Sequence, residues 1–159
     1  MMSPLTGGPQ ILGRVTGPGA APVMRSSTGT EFGPAGARYL NADCPVVTSK
    51  GGKSACGAGL AYAAQLPPAD AKDYVALLRK RNDYLEIGAG RDIGLEDLQL
   101  DDLLIWTSYG SGKMGKKYGH AAIVCMRKGQ RMMVSIMNGR KSIQAITVGG
   151  AHVFRRVGR

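Results

Sequence analysis

The chain has 159 residues, of which 43% are hydrophobic, a formal net charge of +10 and a mean hydropathy of −0.11. That length suits one domain with a sizeable core, and no apolar run approaches the ~20 residues of a membrane-spanning helix. Three cysteines without CxxC spacing and two histidines argue against a disulfide framework, a zinc site or a histidine-rich metal centre, so no metal or cofactor is expected.

Residues 1–37 contain eight Gly and five Pro and show neither helical nor strand periodicity. Such a stretch buries too little apolar surface to order itself, so an extended or disordered arm is expected here, with the folded domain over 38–159. The arm is a candidate for becoming ordered against a partner, or a plain flexible tail. The start of the chain lacks the charged-then-apolar pattern of a secretory signal, so delivery by another route is expected.

Ser54-Ala55-Cys56-Gly57-Ala58-Gly59-Leu60-Ala61-Tyr62-Ala63-Ala64 reads as a helix opening at a cysteine. Ser54 is a good N-cap, and Pro67-Pro68 ends the helix. Residues 60–66 are apolar on nearly every side, which fits a buried helix. Gly57 and Gly59 each cost roughly 1 kcal/mol against Ala in a helix, but small residues there let another backbone approach. A thiol in the first turn feels the positive end of the helix dipole and shifts towards thiolate. Cys56 is therefore a candidate nucleophile; a buried structural cysteine is the alternative. Cys44, in Asp43-Cys44-Pro45, ranks below it, because Pro45 and the turn-like Lys50-Gly51-Gly52 argue against a helix starting there.

A second helix is expected over about 69–82, with Tyr74, Leu77, Leu78 and Arg81 spaced i, i+3, i+4, i+7. Gly88-Ala89-Gly90 and Gly94 mark a loop, and residues 95–100 a short turn of helix. The period then changes. Leu103-Leu104-Ile105-Trp106 is a buried strand, and Ala121 to Met126 a second. Lys128-Gly129-Gln130 turns the chain and Met132 to Met137 returns, with further strands at about 142–148 and 151–155. Helices first and a mostly antiparallel sheet of about five strands afterwards make an α+β fold. Gly110-Ser111-Gly112-Lys113 nearly spells a phosphate-binding loop. It lacks the following Ser or Thr, and a strand soon follows it, so a mobile basic loop is expected rather than a nucleotide site.

His120 opens the second strand, 64 residues after Cys56. A cysteine at a helix N-terminus and a histidine on a sheet strand form the papain-type arrangement. The thiolate attacks a carbonyl, and the imidazolium keeps it ionised and later protonates the leaving group. If the hairpin turn centres on Gly129, facing residues sum to about 258, and Asn138 lies opposite His120 as the group that orients its ring. Residues 103–159 hold 11 Lys+Arg and no carboxylate, against 10 Lys+Arg and 11 Asp+Glu in residues 1–102. Such a one-sign field attracts polyanions, nucleic acid or anionic wall polymer among them, or is simply a solvated face.

The Cys56 helix, Asp102-Leu103-Leu104-Ile105-Trp106, Gly119-His120-Ala121-Ala122-Ile123-Val124 and Val134-Ser135-Ile136-Met137-Asn138 resemble the CHAP group, the cysteine, histidine-dependent amidohydrolases/peptidases. The related NlpC-type peptidases share this layout. The resemblance spans about residues 50–156. It implies a papain-like fold with catalytic Cys56, His120 and Asn138, and hydrolysis of peptidoglycan amide bonds. It also implies a bacteriophage virion or lysin protein acting outside the cell, in the host periplasm or wall. The arm would then hold other virion proteins. The alternatives are a virion structural protein with an inactive fold and a cysteine peptidase effector acting on a protein.

Overall fold

A computed structural model describes residues 10–14, 22–25, 29–41, 55–89, 93–110, 113–137, 140–146 and 149–157. Among them the fold is α+β, with helices α1 (Pro34–Asn41), α2 (Ala55–Ala64), α3 (Tyr74–Arg79) and α4 (Lys113–Tyr118). The strands are β1 (Gln10–Arg14), β2 (Pro22–Arg25), β3 (Thr30–Phe32), β4 (Tyr84–Ala89), β5 (Leu103–Trp106), β6 (His120–Arg127), β7 (Gln130–Met137), β8 (Arg140–Ala145) and β9 (His152–Arg156). These nine belong to one sheet, and their pairings are all antiparallel.

β6 is the central strand. β7 runs along one edge, and β5 and β3 follow one another along the other. Its unbroken apolar run is buried from His120 to Cys125, because both faces of the sheet are covered. Cys125, Ile123 and Ala121 join Leu103, Ile105 and Phe154 in a core beneath α1, α2 and α3. Val124 and Ala122 join Leu104, Trp106, Met133 and Val153 in a second core, which takes in Leu98, Ile146 and Ala151 from outside the strands. The alternation of the pleat thus divides each central strand between a helix-covered face and a loop-covered face.

The β6–β7 turn has two central residues, Lys128 at φ 51° and Gly129 at φ 77°. Positive φ at both is what a tight hairpin with right-handed strand twist requires. The paired residues are Arg127 with Gln130 through Ile123 with Val134, so their numbers sum to 257. The expected sum of about 258 is corrected by one, since the turn centres between Lys128 and Gly129.

Other boundaries also move. The helix expected over 69–82 is a 3₁₀ turn, Ala71–Asp73, followed by α3, with Tyr74, Val75 and Leu78 buried. The loop expected from Gly88 overlaps the last two residues of β4, which lies at the sheet's edge and pairs with β9 through an irregularity between Glu86 and Gly88. A glycine in an edge strand marks a bulge as readily as a loop. Part of the expected basic loop is α4.

The division at residue 38 does not follow the packing. β3 pairs with β6; Phe32 is fully buried, and Ala35 and Ala37 pack in the same core. Pro34 suits the first turn of α1, where its missing N–H costs nothing. The cap comes from far away in sequence. The Asp101 carboxylate accepts hydrogen bonds from the Ala35 and Gly36 amides, both at 2.8 Å. A Cβ on Gly33 would stand 2.5 Å from that carboxylate, so the close approach needs glycine. Local periodicity could not reveal an order that depends on contacts 65 residues apart. Asp101→Asn keeps a residue tolerant of the left-handed backbone but removes one acceptor oxygen. It should cost roughly 1 kcal/mol, the worth of a helix cap. An unchanged urea midpoint would show that the cap contributes nothing.

Candidate active site

α2 is apolar around its whole circumference and is laid on β6 and β7 with Leu60, Ala63 and Ala64 buried, while Tyr62 faces outward, 58% exposed. A Cβ on Gly59 would lie 3.0 Å from the Tyr39 ring and 3.2 Å from Ile136, so its lack of a side chain admits α1 and β7. The C-terminus of α2 is closed by Gln65 at φ 58°, with the Leu66 amide bonded to Ala61 O at 2.9 Å. Arg38 Nε adds a bond to Ala63 O at 2.7 Å.

Cys56 lies in the first turn of this helix and is 6% exposed. Its turn is tied to α3 by Tyr74, whose hydroxyl donates to Pro67 O at 2.7 Å and lies 3.5 Å from Gly57 O. Burial raises the Tyr74 pKa, so the hydroxyl keeps its proton and remains a donor. Ser54 and Cys44 lie outside the described residues.

His120 is 4% exposed. It pairs across the ladder with Trp106, and its ring stacks on Tyr109 at 4.3 Å and tilts against Trp106 at 5.5 Å. Burial pushes its pKa down to about 4, so the imidazole is neutral at physiological pH. Its Nε2 has no hydrogen-bond partner among the described residues.

The two residues are not brought together as a pair. His120 has the parity of Ala122 and Val124, on the loop-covered face, whereas Cys56 packs with Ala121, Ile123 and Cys125 on the helix-covered face. The clusters they join lie on opposite faces of the sheet. Asn138 lies outside the described residues. The observed register, carried to the end of β6, would set position 137 rather than 138 against His120. The ladder itself stops at Ile123–Val134, and beyond it the Ile136 amide donates to the Tyr39 hydroxyl at 3.1 Å.

The second histidine does share the face of Cys56. His152 is paired with Ile105, a residue of the helix-side core. Its Nδ1 lies 3.1 Å from Glu86 Oε2, and Arg79 binds the same carboxylate at 2.7 and 3.1 Å. The Arg79 hydrogen bond, more than the others, holds Glu86 below the usual carboxylate range. No local pattern announces this cluster, because its members come from α3, β4 and β9. Cys125, buried on the same face, has its pKa pushed up to about 12 and is a packing residue rather than a nucleophile.

Several cations of the acid-free last third are tied down by tertiary contacts, one of them by an ion pair. Arg155 binds Asp102 at 2.7 and 2.8 Å; Arg131 donates to Leu98 O, Arg127 to Thr30 and Lys141 to Leu40 O. Lys113, Lys117, Lys128 and Arg156 remain exposed. Among the described residues no three His, Cys, Asp or Glu side chains gather as metal ligands, and no helix is long and apolar enough to cross a membrane. No protein-family model, curated protein or solved structure matches the chain significantly.

Proposed function

We propose that this chain has the layout of a papain-like amide hydrolase without an assembled cysteine–histidine pair, and that it serves a phage particle as a wall-binding structural protein. One observation carries the reading: His120 pairs with Trp106 of the loop-side core, whereas Cys56 belongs to the helix-side core. The exposed Lys113, Lys117, Lys128 and Arg156 supply positive charge for an anionic wall polymer. The virion setting rests on the resemblance to the CHAP group.

A peptidoglycan endopeptidase or amidase is the second reading. It is favoured by Cys56 in the first turn of α2, where a helix dipole assists a thiolate, and by the Gly119–Val124 motif. In that case Cys56 attacks the amide carbonyl, and His120 and Asn138 complete the site after a rearrangement.

Purified cell walls separate the two. Under the first reading the protein attaches to walls, releases no new amines, and Cys56→Ala attaches as well as the wild type. Attachment should weaken as salt rises, since exposed charges more than ~10 Å apart are largely screened at 0.1 M. Amine release that Cys56→Ala abolishes would establish the hydrolase instead. Binding indifferent to salt would remove the electrostatic part of the proposal.

A further inference from the structure

We infer that the loop-covered face of the sheet holds a buried site for one small, neutral hydrogen-bonding molecule, water itself, between Nε2 of His120 and Oγ of Ser135. The inference is independent of either function proposed above. Both atoms are sealed from solvent and have no hydrogen-bond partner among the described residues. Ser135 is 0% exposed. Leaving such groups unpaired is costly, and native proteins rarely do so.

The two side chains share a face. Val124 pairs with Met133, and both belong to the loop-side core. The alternation of β6 and β7 puts His120 and Ser135 on this same face, just beyond the last paired residues, Ile123 and Val134. Even in a paired ladder, diagonal cross-strand neighbours stand roughly 7–8 Å apart. That is too far for a direct bond between a ring nitrogen and a short hydroxyl, but one intervening molecule can span it.

The chemistry of the guest follows from its surroundings. Trp106, Ala122, Val124 and Met133 are apolar, and the charged pair on this face, Asp102 and Arg155, is mutually satisfied at 2.7 and 2.8 Å. The ring is neutral at physiological pH, because burial opposes its protonation. A neutral imidazole nitrogen can donate or accept according to tautomer, and a hydroxyl can do both. Water matches either tautomer, and buried waters bridging otherwise unsatisfied groups occur about once per 27 residues.

The test uses the intact protein and its Ser135→Ala, His120→Phe and doubly substituted forms. Nuclear magnetic resonance should show a long-lived water cross-peak to protons of both residues, lost in Ser135→Ala. Each single change should lower the melting temperature, and the double change should lower it by less than the sum, because both remove one shared bridge. A higher melting temperature for Ser135→Ala would overturn the inference, since deleting a truly orphaned hydroxyl relieves its burial. Additive losses would overturn it as well. Should a variant fail to fold, the wild-type spectrum decides: no long-lived water at His120 and Ser135 means no site.

Discussion

A chain beginning at Arg38 should lose cooperative unfolding. The removed segment contains β3, which pairs with β6, and the first turn of α1. It takes Phe32, Ala35 and Ala37 out of the helix-side core. Truncating a buried Phe to Ala alone costs about 3–5 kcal/mol through lost burial and the cavity left behind. Domains of this kind are stable by only about 5–15 kcal/mol. The truncation also strips the Asp101 carboxylate of the two amides that satisfy it. Phe32→Ala in the full chain is the milder companion and should show the loss as a lower urea midpoint. A sharp thermal transition at the wild-type temperature in the shortened chain would prove that residues 1–37 do not contribute to the core.

Acid should destabilise the fold through His120. Its pKa falls from 6.5 to about 4 on folding. Between those values the unfolded chain binds the proton and the native state does not, so stability rises with pH across the window. The contribution is fully present above pH 6.5 and is lost progressively as pH falls towards 4. At 1.36 kcal/mol per unit, the difference amounts to about 3 kcal/mol. Asp101 works in the opposite sense, because burial raises its pKa and its contribution declines as pH rises through the folded value. Comparison of the wild type with His120→Gln separates the two, as Gln does not titrate and Asp101 is common to both. Urea unfolding at several pH values should show the two stabilities converging at low pH. A constant difference between pH 6.5 and 4 would mean that His120 titrates normally and that its ring is open to water.

Solution chemistry on Cys56 bears on the same geometry. His120 pairs with Trp106 of the loop-side core, whereas Cys56 belongs to the helix-side core. The histidine that shares this face, His152, is instead held by Glu86 at 3.1 Å. The wall assay with Cys56→Ala shows whether this thiol takes part in cleavage.

Elements whose signals are local can be read directly from the residues. Leu103-Leu104-Ile105-Trp106, the β6–β7 hairpin around Lys128-Gly129, the apolar α2 and the α+β class are all legible, because period, turn residues and apolar runs act over a few positions. Tertiary structure alone decided the rest. Residues 29–37 are ordered by pairing with β6 and by the carboxylate of Asp101, both distant in sequence. The basic last third meets its carboxylates only when β9 brings Arg155 to Asp102 and His152 to Glu86. The candidate site turned on parity. A pleated strand sends successive side chains to opposite faces, so which face is buried under helices decides whether His120 meets Cys56. That choice depends on how α2 docks, and no spacing along the chain contains it.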